Sequence, residues 1–138
     1  MSNPGPATTT QQPSQNLNTQ QAIRLLTSKK AVNMAATGDT ALPILNATSY
    51  SITNIILANA SVGLSGGTAA ILTAPASAGT TIMASITISA NTSAGIVTGM
   101  TVNTTNIQTV QNLYWRVTTA TTATPATADV YIYGYDLS

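Results

Sequence analysis

From residue 29 onward the chain alternates short apolar runs with polar breaks. The runs are KAVNMAA (30–36), TALPIL (40–45), SYSITNIILAN (49–59), TAAILTA (68–74), TTIMASITIS (80–89), GIVTGMTVN (95–103), NLYWRVTT (112–119) and TADVYIYGYD (127–136). Each is rich in Val, Ile, Thr, Tyr or Ala, and each is too short for a stable helix of its own. Turn formers separate them: TGD at 37–39, GLSGG at 63–67, APASAG at 74–79, NTSAG at 91–95 and TTATPAT at 121–127. About eight strands at this spacing predict an all-β domain, a jelly-roll-like β-sandwich over 29–138. Pro43 inside the second run predicts an edge or a bulge there.

Alternation is cleanest at the end of the chain. Leu113, Trp115 and Val117 share one face of a strand, and Tyr114 and Arg116 share the other. Val130 and Ile132 point opposite to Tyr131, Tyr133 and Tyr135. The apolar set belongs in the core, and the tyrosines then face outward or towards a partner. Gly134 interrupts the stripe on the core side, where a bulge or a close backbone approach is expected; a bulge would turn Tyr135 away.

The first 18 residues have a different texture, polar and interrupted by Pro4, Pro6 and Pro13. They cannot bury enough apolar surface to offset their ordering entropy, so residues 1–28 are expected to form an extended N-terminal arm. Fully extended, about 18 residues reach roughly 60 Å. TQQAIRLLTS (19–28) reads as a short helix capped by Thr19, with Ile23 and Leu26 on one side, or as an edge strand, with the helix preferred.

Composition narrows the chemistry. Charged residues make up 5% of the 138 and the net charge is +1, against roughly 25% charged in ordinary domains. So neutral a surface favours self-association or coverage by partners. There is no His, Glu or Cys, so no general base titrates near neutrality and no Ser-His-Asp or Cys-His arrangement can form. The expectation is a non-enzyme with no cofactor and no metal site. Asp39, in TGDT, reads as a turn former. Arg24, Lys29, Lys30 and Arg116 are too few for a nucleic-acid footprint. The apolar runs fall far short of the ~20 residues that cross a bilayer, and the first residues show no secretory signal, so neither nucleic acid nor membrane is an expected partner.

A tyrosine stripe in so aromatic-poor a chain, with five Tyr, one Trp and no Phe, has three explanations. It is a subunit or partner interface, a second apolar layer under the arm, or a glycan platform. If the last two strands pair, Tyr114 and Arg116 join Tyr131, Tyr133, Tyr135 and Asp129 in one cluster of the residue types enriched at protein interfaces.

Two stretches, KKAVNMAATGDTALPI (29–44) and LYWRVTTATTATPATADVYIYGYDL (113–137), resemble a family of small tailed-bacteriophage virion proteins of the capsid decoration, or cement, type. The resemblance implies an all-β knob, a homotrimer on the outer capsid surface, made in the bacterial cytoplasm, that bridges capsomers of the major capsid protein. Arg24, Lys29 and Lys30, near the arm–body junction, would then meet acidic groups on the shell. The alternative is a head-fibre or tail-tip module that recognises host surface glycan.

Overall fold

The computed structural model describes residues 23–138. They form eight strands: β1 (Ile23–Asn33), β2 (Gly38–Pro43), β3 (Tyr50–Ala58), β4 (Thr68–Leu72), β5 (Thr81–Thr87), β6 (Thr98–Met100), β7 (Asn112–Thr119) and β8 (Thr127–Asp136). Every pairing is antiparallel. The first sheet runs β1-β8-β3-β6 and the second β2-β7-β4-β5. No helix occurs among the described residues. The result is an all-β sandwich in which each of the eight apolar runs overlaps one strand, although β1 begins well before its run at 30–36 and β6 covers only part of 95–103.

Period-two alternation supplies the two inner faces. Leu26, Val130, Ile132, Ile55 and Leu57 of the first sheet and Leu42, Leu113, Trp115, Val117 and Ile71 of the second enter one continuous core. The predicted split of the last two strands holds: Leu113, Trp115, Val117, Val130 and Ile132 are buried, while Tyr114, Arg116, Tyr131 and Tyr133 are half-buried and Tyr135 is exposed. Burying Tyr50 pushes its phenol up to about 12. Its hydroxyl stays neutral and donates to the Val110 carbonyl at 2.7 Å.

The expected helix at 19–28 is corrected where it can be seen. Residues 19–22 of that segment and the arm before them lie outside the described residues. Ile23 to Ser28 are strand, so the body begins before residue 29. β8 offers partners to all of them but Leu26, from Ile23 opposite Tyr135 to Ser28 opposite Tyr131. A helix of one or two turns cannot match that pairing.

Gly134 answers its own question differently from a bulge. β8 passes through it unbroken, and the extra residues sit in its neighbours: Leu26 in β1, between partners of Tyr133 and Ile132, and Thr53 in β3, between partners of Gly134 and Tyr133. Tyr135 therefore stays on the stripe. A Cβ at Gly134 would collide with the Ser51 carbonyl oxygen and lie 2.8 Å from Leu26 Cδ1. The glycine is there for close backbone approach.

The sheet edges are closed in several ways. β2 is an edge ending on Pro43, as that proline predicted, and β6 is only three residues long. β5 is covered along part of its length, where the Asn103 amide donates to Ile82 O and its side chain accepts from the Ala84 amide. On β1, the Leu45 amide caps Leu26 O, and a second bulge carries Lys30 and Ala31, with Ala31 at φ 54°.

Two predictions follow from this geometry. Gly134→Ala should destabilise the protein by about 1–3 kcal/mol in urea unfolding, the usual cost of overpacking. Gly99→Ala should be near neutral, because nothing lies within 4 Å of the added methyl. Tyr50 also sets an alkaline limit. Its folded pKa lies above the ordinary 10.0, so its contribution is complete below pH 10.0 and fades as pH rises towards about 12. Tyr50→Phe should lose about 1 kcal/mol at neutral pH and show a shallower alkaline fall in melting temperature than the parent.

Candidate functional site

β7 and β8 do not pair. They lie in opposite sheets, with β8 between β1 and β3 and β7 between β2 and β4. Residues 120–126 carry the chain from one sheet to the other rather than closing a hairpin. The single cluster expected from pairing these strands is thereby divided: Tyr131, Tyr133 and Tyr135 occupy the outer face of the first sheet, and Tyr114 and Arg116 that of the second.

On the second sheet, Tyr114 stands opposite Ala41 and Leu72, and Arg116 opposite Asp39 and Ala70. Arg116 Nη1 donates to both Asp39 oxygens at 3.0 Å. Asp39 also accepts the Ala76 amide at 2.8 Å. Asp39 is thus a strand residue rather than a turn former, and it holds the distant β4–β5 hairpin, in which Ala76 and Ser77 adopt φ of 57° and 65°. The Ala76 bond, ahead of Arg116, holds its carboxyl below the usual range against partial desolvation. Beside this pair, Thr118 exchanges hydroxyl bonds with Thr68 and Ser85 at 2.6 and 2.7 Å. Asp39 and Arg116, and Thr68, Ser85 and Thr118, satisfy one another on this face.

The outer face of the first sheet is less self-sufficient. Across it run three rows fixed by register: Ile23–Tyr135–Ser51, Leu25–Tyr133–Asn54 and Ser28–Tyr131–Ile56–Gly99. At one end lies Asp129, 9% exposed. Its Oδ1 accepts the Ala31 amide at 2.8 Å, and its Oδ2 accepts Asn59 Nδ2 at 2.9 Å and the Tyr131 hydroxyl at 3.3 Å. Desolvation pushes this carboxyl up, but those three donors, with Lys30 nearby, more than offset it and leave the pKa below its ordinary value. The Tyr131 phenol is pushed up in turn by desolvation and by the Asp129 charge, so it remains a neutral donor. Both carboxylate oxygens are taken, and Asp129 fastens the β1 bulge, the end of β3 and the first tyrosine together.

The cations divide as sharply. Arg24 donates to the carbonyls of Leu25, Leu45 and Asn46 at 3.1, 2.6 and 3.1 Å and to Asp136 at 3.1 Å. It is a clamp between β1, the β2–β3 loop and the end of β8. Bonds from the Ser138 hydroxyl and amide, with Arg24 beside it, hold Asp136 below its ordinary pKa. Lys29 and Lys30 are exposed and enter no ion pair among the described residues. Lys29 stands opposite Val130, on the core side of an edge strand.

Among the described residues no group of three His, Cys, Asp or Glu converges to hold a metal ion. Sequence reasoning placed Asp129 beside the tyrosines by parity, but missed Asn59 and the Ala31 amide. The position of Asn59 after an apolar strand, where Asn tolerates positive φ, is the one signal it offered; its φ is 53°. No known protein family, curated protein or solved structure matches the chain.

The three Asp are the only side-chain carboxylates, and each is held below its ordinary value of 3.8. A carboxyl with a depressed folded pKa is protonated more readily in the unfolded chain. Its stabilisation is therefore complete above the unfolded value and is lost as pH falls through the folded one. Stability should stay flat from about pH 5 to about pH 9, and its acid fall should come below 3.8. Asp129→Asn should cost on the order of 2 kcal/mol at neutral pH and flatten part of that acid limb, as measured by urea unfolding at several pH values.

Proposed function

We propose that the protein is a non-enzymatic structural component of a bacteriophage virion, a decoration protein that sits on the outer capsid and bridges neighbouring capsomers. The observation that carries this reading is the strand order. The chain passes between sheets so that β1-β8-β3-β6 faces β2-β7-β4-β5, an arrangement that fits an eight-stranded jelly roll of two Greek keys. That architecture recurs in viral capsid and lectin domains and in cupins. With no His in the chain, the His-rich metal chemistry of many small β-barrel enzymes has no counterpart here.

Two further observations support it. The segments that resemble decoration proteins, 29–44 and 113–137, are far apart in sequence yet adjacent in the fold: β1 pairs with β8, and β2 with β7. The resemblance therefore falls on one contiguous half of the sandwich. In addition, the polar N-terminal segment joins the body at Ile23, directly opposite Tyr135. An arm leaving from that point starts beside the tyrosine face. Capsid docking, and trimerisation around it, would bury arm and aromatic face with few charges to desolvate.

Glycan recognition by a head-fibre or tail-tip module is the second reading, favoured by the aromatic stripe and by the use of jelly rolls in lectins. The carboxylate nearest the stripe is already saturated by protein donors, which weighs against it.

The decisive experiment is electron microscopy of the intact particle, together with binding of the purified chain to expanded heads and to host cells. A decoration protein occupies the head exterior and ignores cells; cell or polysaccharide binding without heads supports the second reading. Deleting residues 1–18 should leave the β body folded and abolish head binding. Tyr131→Ser with Tyr133→Ser should weaken docking or trimerisation more than it lowers the melting temperature.

A further inference from the structure

We infer that the β4–β5 hairpin, residues 73–80, is a flap closed over the outer face of the second sheet, that the Asp39 carboxylate is its latch, and that release uncovers an apolar strip while both sheets stay folded. The inference does not depend on the decoration reading.

The hairpin is anchored on the far side of its own sheet. It leaves β4 after Leu72 and returns at Thr81 of β5. Its tip is nonetheless bonded to β2, where the Ala76 amide donates to Asp39 Oδ2 at 2.8 Å. In the order β2-β7-β4-β5, β7 lies between, so the tip reaches about 10 Å across two strand places. Asp39 and Arg116 stand opposite each other on the outer face, and Ala70 stands opposite Arg116. The hairpin therefore folds back over that face, from the level of Leu72 to the level of Ala70.

Burial follows the same line. Leu72 stands opposite Tyr114 and shares the outward parity of Ala70. Neither belongs to the core cluster, yet they are only 7% and 6% exposed. Along the row Ala41–Tyr114–Leu72 the side chains pass from exposed through half-buried to buried as the hairpin is approached. Strand neighbours stand beside Leu72 and do not close over it; Thr81, opposite it on β5, is exposed. The cover is the hairpin.

Its hold is slight. The turn is tied to itself: the Thr73 amide donates to the Thr80 carbonyl at 3.0 Å, the Thr80 amide to the Thr73 hydroxyl at 2.8 Å, and the Ala78 amide to the Pro75 carbonyl at 3.2 Å. The Ala76–Asp39 bond is the one hydrogen bond from residues 73–80 to other parts of the described chain. Residues 75–80 are exposed. Ala76 and Ser77 sit at φ of 57° and 65°, a left-handed conformation that residues with a Cβ keep only under constraint. One tether, a strained tip and little burial describe a unit that opens ahead of the sheets.

The latch depends on charge. On β2, β4, β5, β7 and the hairpin, Arg116 is the only other charged group and Tyr114 the only other titratable one. β1, whose Leu26 carbonyl meets the Leu45 amide just beyond β2, brings Arg24, which is bound to Asp136, and Lys29 and Lys30. The Ala76 bond, ahead of Arg116, holds the Asp39 carboxyl below its ordinary 3.8. The latch is therefore shut above that value and loosens as pH falls through the folded one.

The chain has no Cys, so single introduced thiols report exposure. Leu72→Cys should react slowly with dithiodipyridine at neutral pH. It should react about tenfold faster or more when combined with D39A, or when residues 74–79 are replaced by Asn-Gly, a two-residue hairpin turn. Ala69→Cys, one residue before Ala70 and facing the core, should stay slow in all these backgrounds. R116Q keeps the amide–carboxylate bond and should leave Leu72→Cys slow. On acidification the Leu72→Cys thiol should speed up before the Ala69→Cys thiol. Without any added thiol, D39A should bind more anilinonaphthalene sulfonate than the parent at neutral pH. A Leu72→Cys thiol already fast in the parent, or unchanged by D39A, would overturn the inference. So would Ala69→Cys accelerating in step with it, R116Q releasing it as fully as D39A, a hairpin-shortened chain that fails to fold, or parental dye binding by D39A.

Discussion

The backbone pairing of β8 on both of its sides is what the rest of the molecule is built around. Its ten residues bond β1 along one edge and β3 along the other. That pairing fixes which side chains of three strands face the core and which face out. It also brings β1 and β3 so close at Gly134 that no side chain fits. Both neighbours absorb their extra residues as bulges at this crossing, next to the glycine, and β8 itself stays in register. A slip by one residue would send Val130 and Ile132 outward and all three tyrosines into the core. The stripe is therefore a consequence of the core as much as a surface feature.

Electrostatics supports this frame with very few charges. Each carboxylate joins pieces of chain that are remote in sequence: Asp39 reaches Arg116 and the β4–β5 hairpin, Asp129 reaches β1 and the end of β3, and Asp136 reaches Arg24 and, through it, the β2–β3 loop. The contacts of Asp129 and the Arg24–Asp136 bond are part-buried, where hydrogen bonds to a charged group are worth more than surface ion pairs. The protein uses its carboxylates as fasteners at the places where alternation alone does not determine how loops and strands meet. Much of the remaining polarity is carried by hydroxyls and amides that bond to their own neighbours, as in Thr68–Thr118–Ser85 and Asn91 with Leu57 and Ile96.

Strand positions were legible because a half-buried strand writes its burial into the sequence every second residue, as in Leu113–Trp115–Val117 and Val130–Ile132. Pro43 marked an edge for the same local reason, since proline cannot serve a central ladder. That β7 and β8 lie in different sheets was not legible. A seven-residue polar connection between two amphipathic strands is compatible with a hairpin or with a crossing between sheets, and the alternation is identical in both. The choice is made by β3 and β4, which occupy the places beside β8 and β7. The start of β1 was hidden likewise, because Ile23 and Leu26 satisfy a helical spacing until β8 supplies a ladder. The roles of Asp39 and Arg24 depend on partners as much as 77 and 112 residues away, beyond any local pattern.

Separating Tyr114 and Arg116 from the tyrosine stripe sharpens the meaning of both faces. Had they formed one cluster, a balanced patch of Tyr, Arg and Asp would have been self-complementary and suited to a symmetric contact. As folded, Arg116 is matched by Asp39 within the second sheet, and the tyrosine face keeps Asp129 at its end with Lys30 nearby. Each outer face therefore settles its own carboxylate: Asp39 with Arg116 across β2 and β7, and Asp129 with Ala31, Asn59 and Tyr131 at the start of β8.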